Sequence, residues 1–245
     1  MKKALLYVGS KADNSITMKV GKKIIENINN LSSEEIEWKI YSSKDIKINS
    51  CLSCNTCFQT GICKQRNLDD MELLKNYLIE SDFIMLGSPV FAHNISGDMK
   101  TFIDRISYWM HMFRLAGKKC FVFSTCGTNG IETVTSYLNK CGTYLGLDII
   151  GFYNAIIYDK KAISNIDFLD KDLEVISKNI FKDVFINKNL KSSRNQEIIF
   201  EQYKNYIVTL GNGKKTYLYK YWNESGMLNC INYQDYLNKI CENRH

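Results

Sequence analysis

Cys51, Cys54, Cys57 and Cys63 follow the pattern Cys-x2-Cys-x2-Cys-x5-Cys within one short stretch. Three thiols at successive three-residue intervals can converge on one centre, and the fourth can close a tetrathiolate site. The chemistry this spacing first suggests is an iron-sulfur cluster. A structural zinc ion and a loop of uncommitted thiols stand beside it as alternatives, although so little chain between the pairs suits a cuboidal cluster better than a finger. Of the other cysteines, Cys120 lies in an apolar run and reads as core packing, and Cys141, Cys230 and Cys241 show no metal-like spacing. Cys126 is notable only for the loop that carries it.

Three further segments offer binding chemistry rather than catalysis. Gly9 to Thr17 contains Ser10, Ser15 and Thr17, three hydroxyls next to the free amides of a helix start, which is what a phosphate needs. The same residues also serve as plain helix caps. Gly87-Ser88-Pro89-Val90-Phe91-Ala92-His93-Asn94 holds the only proline of the chain, and Phe91 would leave a strand end where its ring can lie against a flat ligand. His93 is a candidate proton donor there, or simply a hydrogen-bonding loop residue. Ser124 to Gly130 is a third small, polar loop able to turn backbone amides toward a heterocycle. No GxGxxG dinucleotide fingerprint is present.

The elements that must position these segments follow from hydrophobic period. Short apolar runs at Ala4 to Val8, Phe83 to Leu86, Cys120 to Phe123 and Ile149 to Phe152, with alternation at Ile36 to Tyr41, predict five strands. Helical spacing between them covers Ile16 to Ile28, Asp69 to Ile79, Asp98 to Phe113 and Ile131 to Leu145. This alternation predicts an α/β fold with a parallel sheet covered on both faces, its ligand beyond the carboxyl ends of the strands. The loops at Gly9, Gly87 and Ser124 all begin at such ends. A helix over Ile166 to Phe185, a polar break at Asn189 to Asn195 and a turn at Gly211-Asn212-Gly213 predict a helical extension over residues 157–245, after a first domain of residues 1–156. The aromatic residues Tyr217, Tyr219, Tyr221 and Trp222 read as the packing face of that extension.

With the loops in hand a family resemblance is specific. Gly87-Ser88-Pro89-Val90-Phe91, followed by Ser96-Gly97, Lys100 and Phe102-Ile103-Asp104-Arg105, resembles the signature of the NADPH-dependent FMN reductases, a flavodoxin-like group. That resemblance implies a three-layer sandwich with strand order 2-1-3-4-5 and a bound FMN. By the same resemblance Ser10, Ser15 and Thr17 hold the phosphate, with Ile16 in the same contact. Pro89 to Asn94, including Val90, Phe91 and His93, flank the isoalloxazine, and Thr125, Cys126, Gly127 and Gly130 meet its pyrimidine edge. Ala12 and Ile16 stand where many relatives carry arginine and asparagine, which implies a differently arranged phosphate site. The cysteine run is similar to that of the iron-sulfur flavoproteins, a branch in which a [4Fe-4S] cluster at Cys51, Cys54, Cys57 and Cys63 passes electrons to FMN. Other members keep several such cysteines with no cluster implied.

Composition bounds the remaining possibilities. The 245 residues are 45% hydrophobic, enough for one sizeable core. A net charge of +6 is spread over interleaved acids and bases, which argues against nucleic-acid binding. No apolar run reaches the length of a membrane span or a signal peptide, so a cytoplasmic protein is expected, where clustered thiols favour metal or redox chemistry over disulfides. What the resemblance implies is an FMN oxidoreductase with no protein catalytic residue, fed by NAD(P)H or a ferredoxin-like donor, and a homodimer. The rival expectations are a flavin electron carrier or redox sensor, and a flavin tailoring enzyme acting on a specific metabolite.

Overall fold

The computed structural model describes residues 1–158, 165–187, 189–211 and 216–242. The central strand β1 (Lys2–Val8) is buried on both faces from Ala4 onward, as a continuous apolar run requires. It pairs in parallel with β2 (Ile36–Ser42) on one side and β3 (Phe83–Phe91) on the other. Beyond β3 lie β5 (Lys119–Cys126) and β6 (Asp148–Ile156), giving the parallel order β2-β1-β3-β5-β6. A two-residue strand, β4 (Asn94–Ile95), folds back antiparallel on the end of β3. With β4 set aside, five parallel strands stand in the expected 2-1-3-4-5 order.

Helices cover both faces. α1 (Ile16–Leu31) puts Val20, Ile24 and Ile28 on the sheet at four-residue spacing, and α6 (Asp170–Phe181) packs beside it through Leu173 and Ile180. The opposite face carries α3 (Met71–Glu80), α4 (Gly97–Arg105) and α5 (Ile131–Leu145) around Leu5, Tyr7, Phe102 and Leu138. The helix expected over Asp98 to Phe113 stops at Arg105. Ser107–Met112 continue as a tighter 3-10 turn, which buries Tyr108, Trp109 and Met112 together. Strand β3 continues through Gly87 to Phe91, expected as a loop, and Pro89 is accommodated at the last parallel pairing with Thr125.

The three C-terminal helices, α7 (Arg194–Gly211), α8 (Tyr217–Glu224) and α9 (Tyr233–Glu242), gather Phe200, Ile207, Trp222, Tyr233 and Leu237 around Phe113. Hydrogen bonds from Trp222 Nε1 to the His111 carbonyl (2.8 Å) and from the Tyr233 hydroxyl to the Gly146 carbonyl (2.7 Å) tie this cluster to the sheet-bearing body. Asn212 and Gly213 of the expected turn lie outside the described residues. Among the described residues no helix is long and apolar enough to cross a membrane.

Candidate functional site

Strand order reverses at β1, whose neighbours β2 and β3 are reached in opposite directions, so the crevice between the ends of β1 and β3 is where an open α/β sheet takes a ligand. Small hydroxyl side chains fix the loops around it. Gly9 N donates to the Gly87 carbonyl at 2.9 Å. The Ser96 hydroxyl donates to the Gly9 carbonyl at 2.5 Å and accepts from Met99 N, capping α4 while clamping β1. Ser96 N donates to the Ser88 hydroxyl (3.0 Å), and the Ser124 hydroxyl donates to the Ser88 carbonyl (2.8 Å). The ends of β1, β3 and β5 are thereby stapled together. Ser88, Ser96 and Ser124 were not singled out from sequence for this work.

Ser15 is the N-cap of α1 and its hydroxyl accepts from Met18 N, while the Ser10 hydroxyl accepts from Ala12 N. Ile16 opens the helix half-buried against the core. Thr17 is almost fully buried, and its hydroxyl meets that of Thr125 at 2.6 Å. The pair joins the first loop to the third. Across the crevice, β3 and β4 form a hairpin with Val90 opposite Ile95 and Phe91 opposite Asn94. Its tip, Ala92 and His93, has φ of 50° and 59° at successive residues. Two consecutive left-handed residues make a primed two-residue turn, here without the usual asparagine or glycine. Phe91 stands 58% exposed at the hairpin, with its ring presented to solvent.

A groove of about 200 Å³ runs between Val90, Ala92 and His93 on one side and Cys126 to Asn129 on the other. A Cβ on Gly127 would meet only the Ile157 carbonyl oxygen, at 4.0 Å, so the backbone there faces open space. At Gly130 the chain is close-packed instead, 2.9 Å from His93 Cα and Nδ1 to an added Cβ. Burial pushes the Cys126 thiol up from its usual pKa, which keeps it protonated and unreactive at neutral pH. The residues fit a flavin mononucleotide. A helix N-terminus ringed by Ser10 and Ser15 suits the phosphate, and the open groove beside an exposed aromatic residue suits the ring.

The cysteines occupy the long connection from β2 to α3. Its two ends run side by side: Lys47 N and Asp70 N exchange bonds with Asp70 Oδ2 and the Lys47 carbonyl, Asn49 N donates to Asp69 Oδ2 at 2.9 Å, and Gln65 Nε2 donates to the Ser50 carbonyl at 2.9 Å. The loop is thus closed at its base and carries all four thiols at its tip. A single turn of helix, α2 (Thr56–Thr60), lies between left-handed residues Asn55 and Gly61. Cys51 and Cys54 are exposed, Cys57 and Cys63 half-buried. Hydrogen bonds from the Thr56 hydroxyl and backbone pull the Cys54 thiol down, whereas burial and the neighbouring Cys63 and Cys51 push Cys57 up.

Under the loop, Asp69 pairs with Arg105, and Asp69 Oδ1 also accepts from Met71 N. Asp69, expected as one of two acids opening a helix, instead joins the loop base to α4. Phe58 packs edge-on against Tyr108 and His111, and His111 stacks on Tyr203 of α7 at 5.0 Å. Among the described residues no three histidine, cysteine or acidic side chains gather closely enough to hold a single metal ion. The donor set, four soft thiols on one closed loop, is of the chemistry an iron-sulfur cluster takes.

Comparison with known proteins bears on both regions. The family described as NADPH-dependent FMN reductase matches residues 1–157. An iron-sulfur flavoprotein of Archaeoglobus fulgidus is 40% identical over 124 residues, covering 49% of this chain and 54% of that protein, so the match spans about half of the relative's length. An iron-sulfur flavoprotein of Clostridioides difficile is 26% identical over 215 residues, covering 81% of this chain and 93% of that protein. Among solved structures, an NADH:FMN oxidoreductase in its apo form superposes with a TM-score of 0.56 at 16% identity, over 80% of this chain and 94% of that one. At that identity the likeness speaks for the flavodoxin-like fold alone.

Proposed function

Because the chain belongs to the NADPH-dependent FMN reductase family, we propose that it is an FMN-dependent oxidoreductase of the iron-sulfur flavoprotein kind. The observation that carries this reading is the convergence of three stapled loops on the crevice between β1 and β3. FMN, when bound, supplies both one- and two-electron chemistry, and the protein supplies position and electrostatics. Ser10, Ser15 and the first amides of α1, including those of Ile16 and Thr17, hold the phosphate. Pro89 to Asn94 line one side of the ring, and Thr125, Cys126, Gly127 and Gly130 its polar edge. The Thr17–Thr125 pair keeps the phosphate loop and the ring loop in register. No acid-base side chain is required of the protein in this role.

Cys51, Cys54, Cys57 and Cys63 are the ligands of a [4Fe-4S] cluster in this reading, supported by their spacing, by the closed loop and by the names of the relatives. With a cluster the donor would be ferredoxin-like and give its electrons singly; without one, NAD(P)H would deliver hydride over the groove at Val90 and Gly127. Residues 1–156 form the flavin domain and residues 157–245 the extension. We assign the working form as a cytoplasmic homodimer. The test is purification without oxygen, followed by a visible spectrum, iron and acid-labile sulfide assays, and NADH or NADPH turnover. Flavin with about four irons per chain is the expected result. Flavin without iron refutes the cluster, and absence of flavin under reconstitution refutes the function.

A further inference from the structure

The buried ion pair beneath the cysteine loop has no part in flavin binding. The Arg105 side chain, at the end of α4, is 1% exposed and that of Asp69 is 0% exposed. Both Nη atoms of Arg105 donate to the carboxylate, and Nη1 also donates to the Asn49 carbonyl at 2.8 Å. That bond to Asn49 holds the guanidinium at the base of the cysteine loop, two residues before Cys51. Its Nε is buried with no acceptor among the described residues.

Taking two charges out of water costs several kcal/mol each, and apolar residues of similar size hold a fold together as well or better. This pair sits buried at the base of the loop that carries the four thiols, with one donor of its cation unspent. We propose that Arg105 is a positioning residue whose fixed positive charge raises the reduction potential of the centre held by Cys51, Cys54, Cys57 and Cys63, with Asp69 as its counterweight. This inference rests on the iron-sulfur reading of that loop. A cluster ligated by four thiolates is an anion, and each electron it accepts makes it more negative; net charge, hydrogen bonds to sulfur and exposure set its potential. A buried cation at the base of the loop stabilises the reduced form more than the oxidised form, with little screening by salt. Asp69 acts with the opposite sign.

The two partners therefore make opposite predictions. Arg105→Gln removes a positive charge and lowers the potential, whereas Asp69→Asn removes a negative charge and raises it. A purely structural pair predicts otherwise, because either change breaks the same contact, loosens the same loop and moves the potential the same way. The experiment uses the holoprotein purified without oxygen, its iron, sulfide and flavin counted. A mediated titration with dithionite then follows the electron paramagnetic resonance signal of the reduced cluster. Opposite shifts in the two variants, with Arg105→Lys close to wild type, are the expected result. Wild-type protein with flavin and no iron removes the reading underneath, and is seen before any variant is made. Iron-loaded variants whose potentials move together, or stay put, overturn the role of the pair and leave the cluster standing. Should Arg105→Gln not load iron, Arg105→Lys decides: loading at the wild-type potential supports the fixed charge, and failure to load overturns it.

Discussion

Replacing Gly61 by alanine should loosen the cysteine loop by an amount that can be divided into two parts. Gly61 sits at φ +75°, and an added Cβ would lie 2.1 Å from Tyr217 Cζ and 2.5 Å from both of its Cε atoms. The left-handed backbone alone costs an L-residue about 1–2 kcal/mol. The ring of Tyr217 must also leave its seat, and losing roughly half of a large side chain's burial costs about 1–1.5 kcal/mol. The total of about 2–3.5 kcal/mol corresponds to roughly 30- to 300-fold in a local opening equilibrium. Native-state hydrogen exchange reads it directly, because Phe58 N and Gln59 N donate to the Asn55 carbonyl and Gly61 N to the Cys57 carbonyl. In a Tyr217→Ala background the obstacle is gone and Gly61→Ala should cost only the backbone strain, about 1–2 kcal/mol or roughly 5- to 30-fold. An equal acceleration in both backgrounds would refute the claim that α8 is seated on this loop through Tyr217.

Three other outcomes are expected. Thr17→Val leaves the buried Thr125 hydroxyl without its partner and should cost about 1–3 kcal/mol in urea denaturation, with a Thr17→Val/Thr125→Val double variant costing less than the sum; strict additivity would mean the pair is not coupled. Phe91→Ala, at an exposed position, should change stability by no more than about 0.5 kcal/mol while weakening FMN binding roughly 2- to 12-fold in a fluorescence titration; unchanged affinity would place the ring elsewhere. Lys75 donates to Glu72 at 2.7 Å and to the Tyr108 hydroxyl. Burial alone would lower its pKa, but Tyr108 and Glu72 together outweigh burial and hold it above the usual 10.5. Stability from the charged form is therefore complete below that value and lost as pH rises through the higher folded pKa. Denaturation curves above pH 10.5 should fall more steeply for the native protein than for Lys75→Met, and parallel curves would sink the assignment.

The parts of this fold that could be read from sequence are those written in local period. The inner strands β1, β3 and β5 announce themselves because a strand buried on both faces is a run of apolar residues, the edge strand β2 by its alternation, and α1 and α5 because their apolar faces repeat every three to four residues. What could not be read joins distant positions. Thr17 and Thr125 are 108 residues apart, and Asp69 and Arg105 are 36 apart. Asp69 looked like an ordinary acid at a helix start, and only the tertiary fold brings the cation to it. The hairpin tip at Ala92-His93 lacks the Asn-Gly signal of its turn type, so β4 was not foreseen. The 3-10 stretch at Ser107–Met112 keeps apolar residues at spacings an α-helix also satisfies, and period alone could not separate the two.

Helix α4 touches both regions of interest, with Ser96 at its cap clamping Gly9 and Arg105 in its last turn clasping Asp69. Nine residues of α-helix make a strut of about 13 Å. Helices are stiff where loops are not, so the interval between the base of the thiol loop and the end of β1 is a dimension of the framework rather than the average of a fluctuation. Electron transfer across such a gap depends steeply on distance. In the reading proposed above, one rigid element would then space the two centres, and the rate of transfer would follow the framework rather than whatever the hairpin tip and the exposed thiols do.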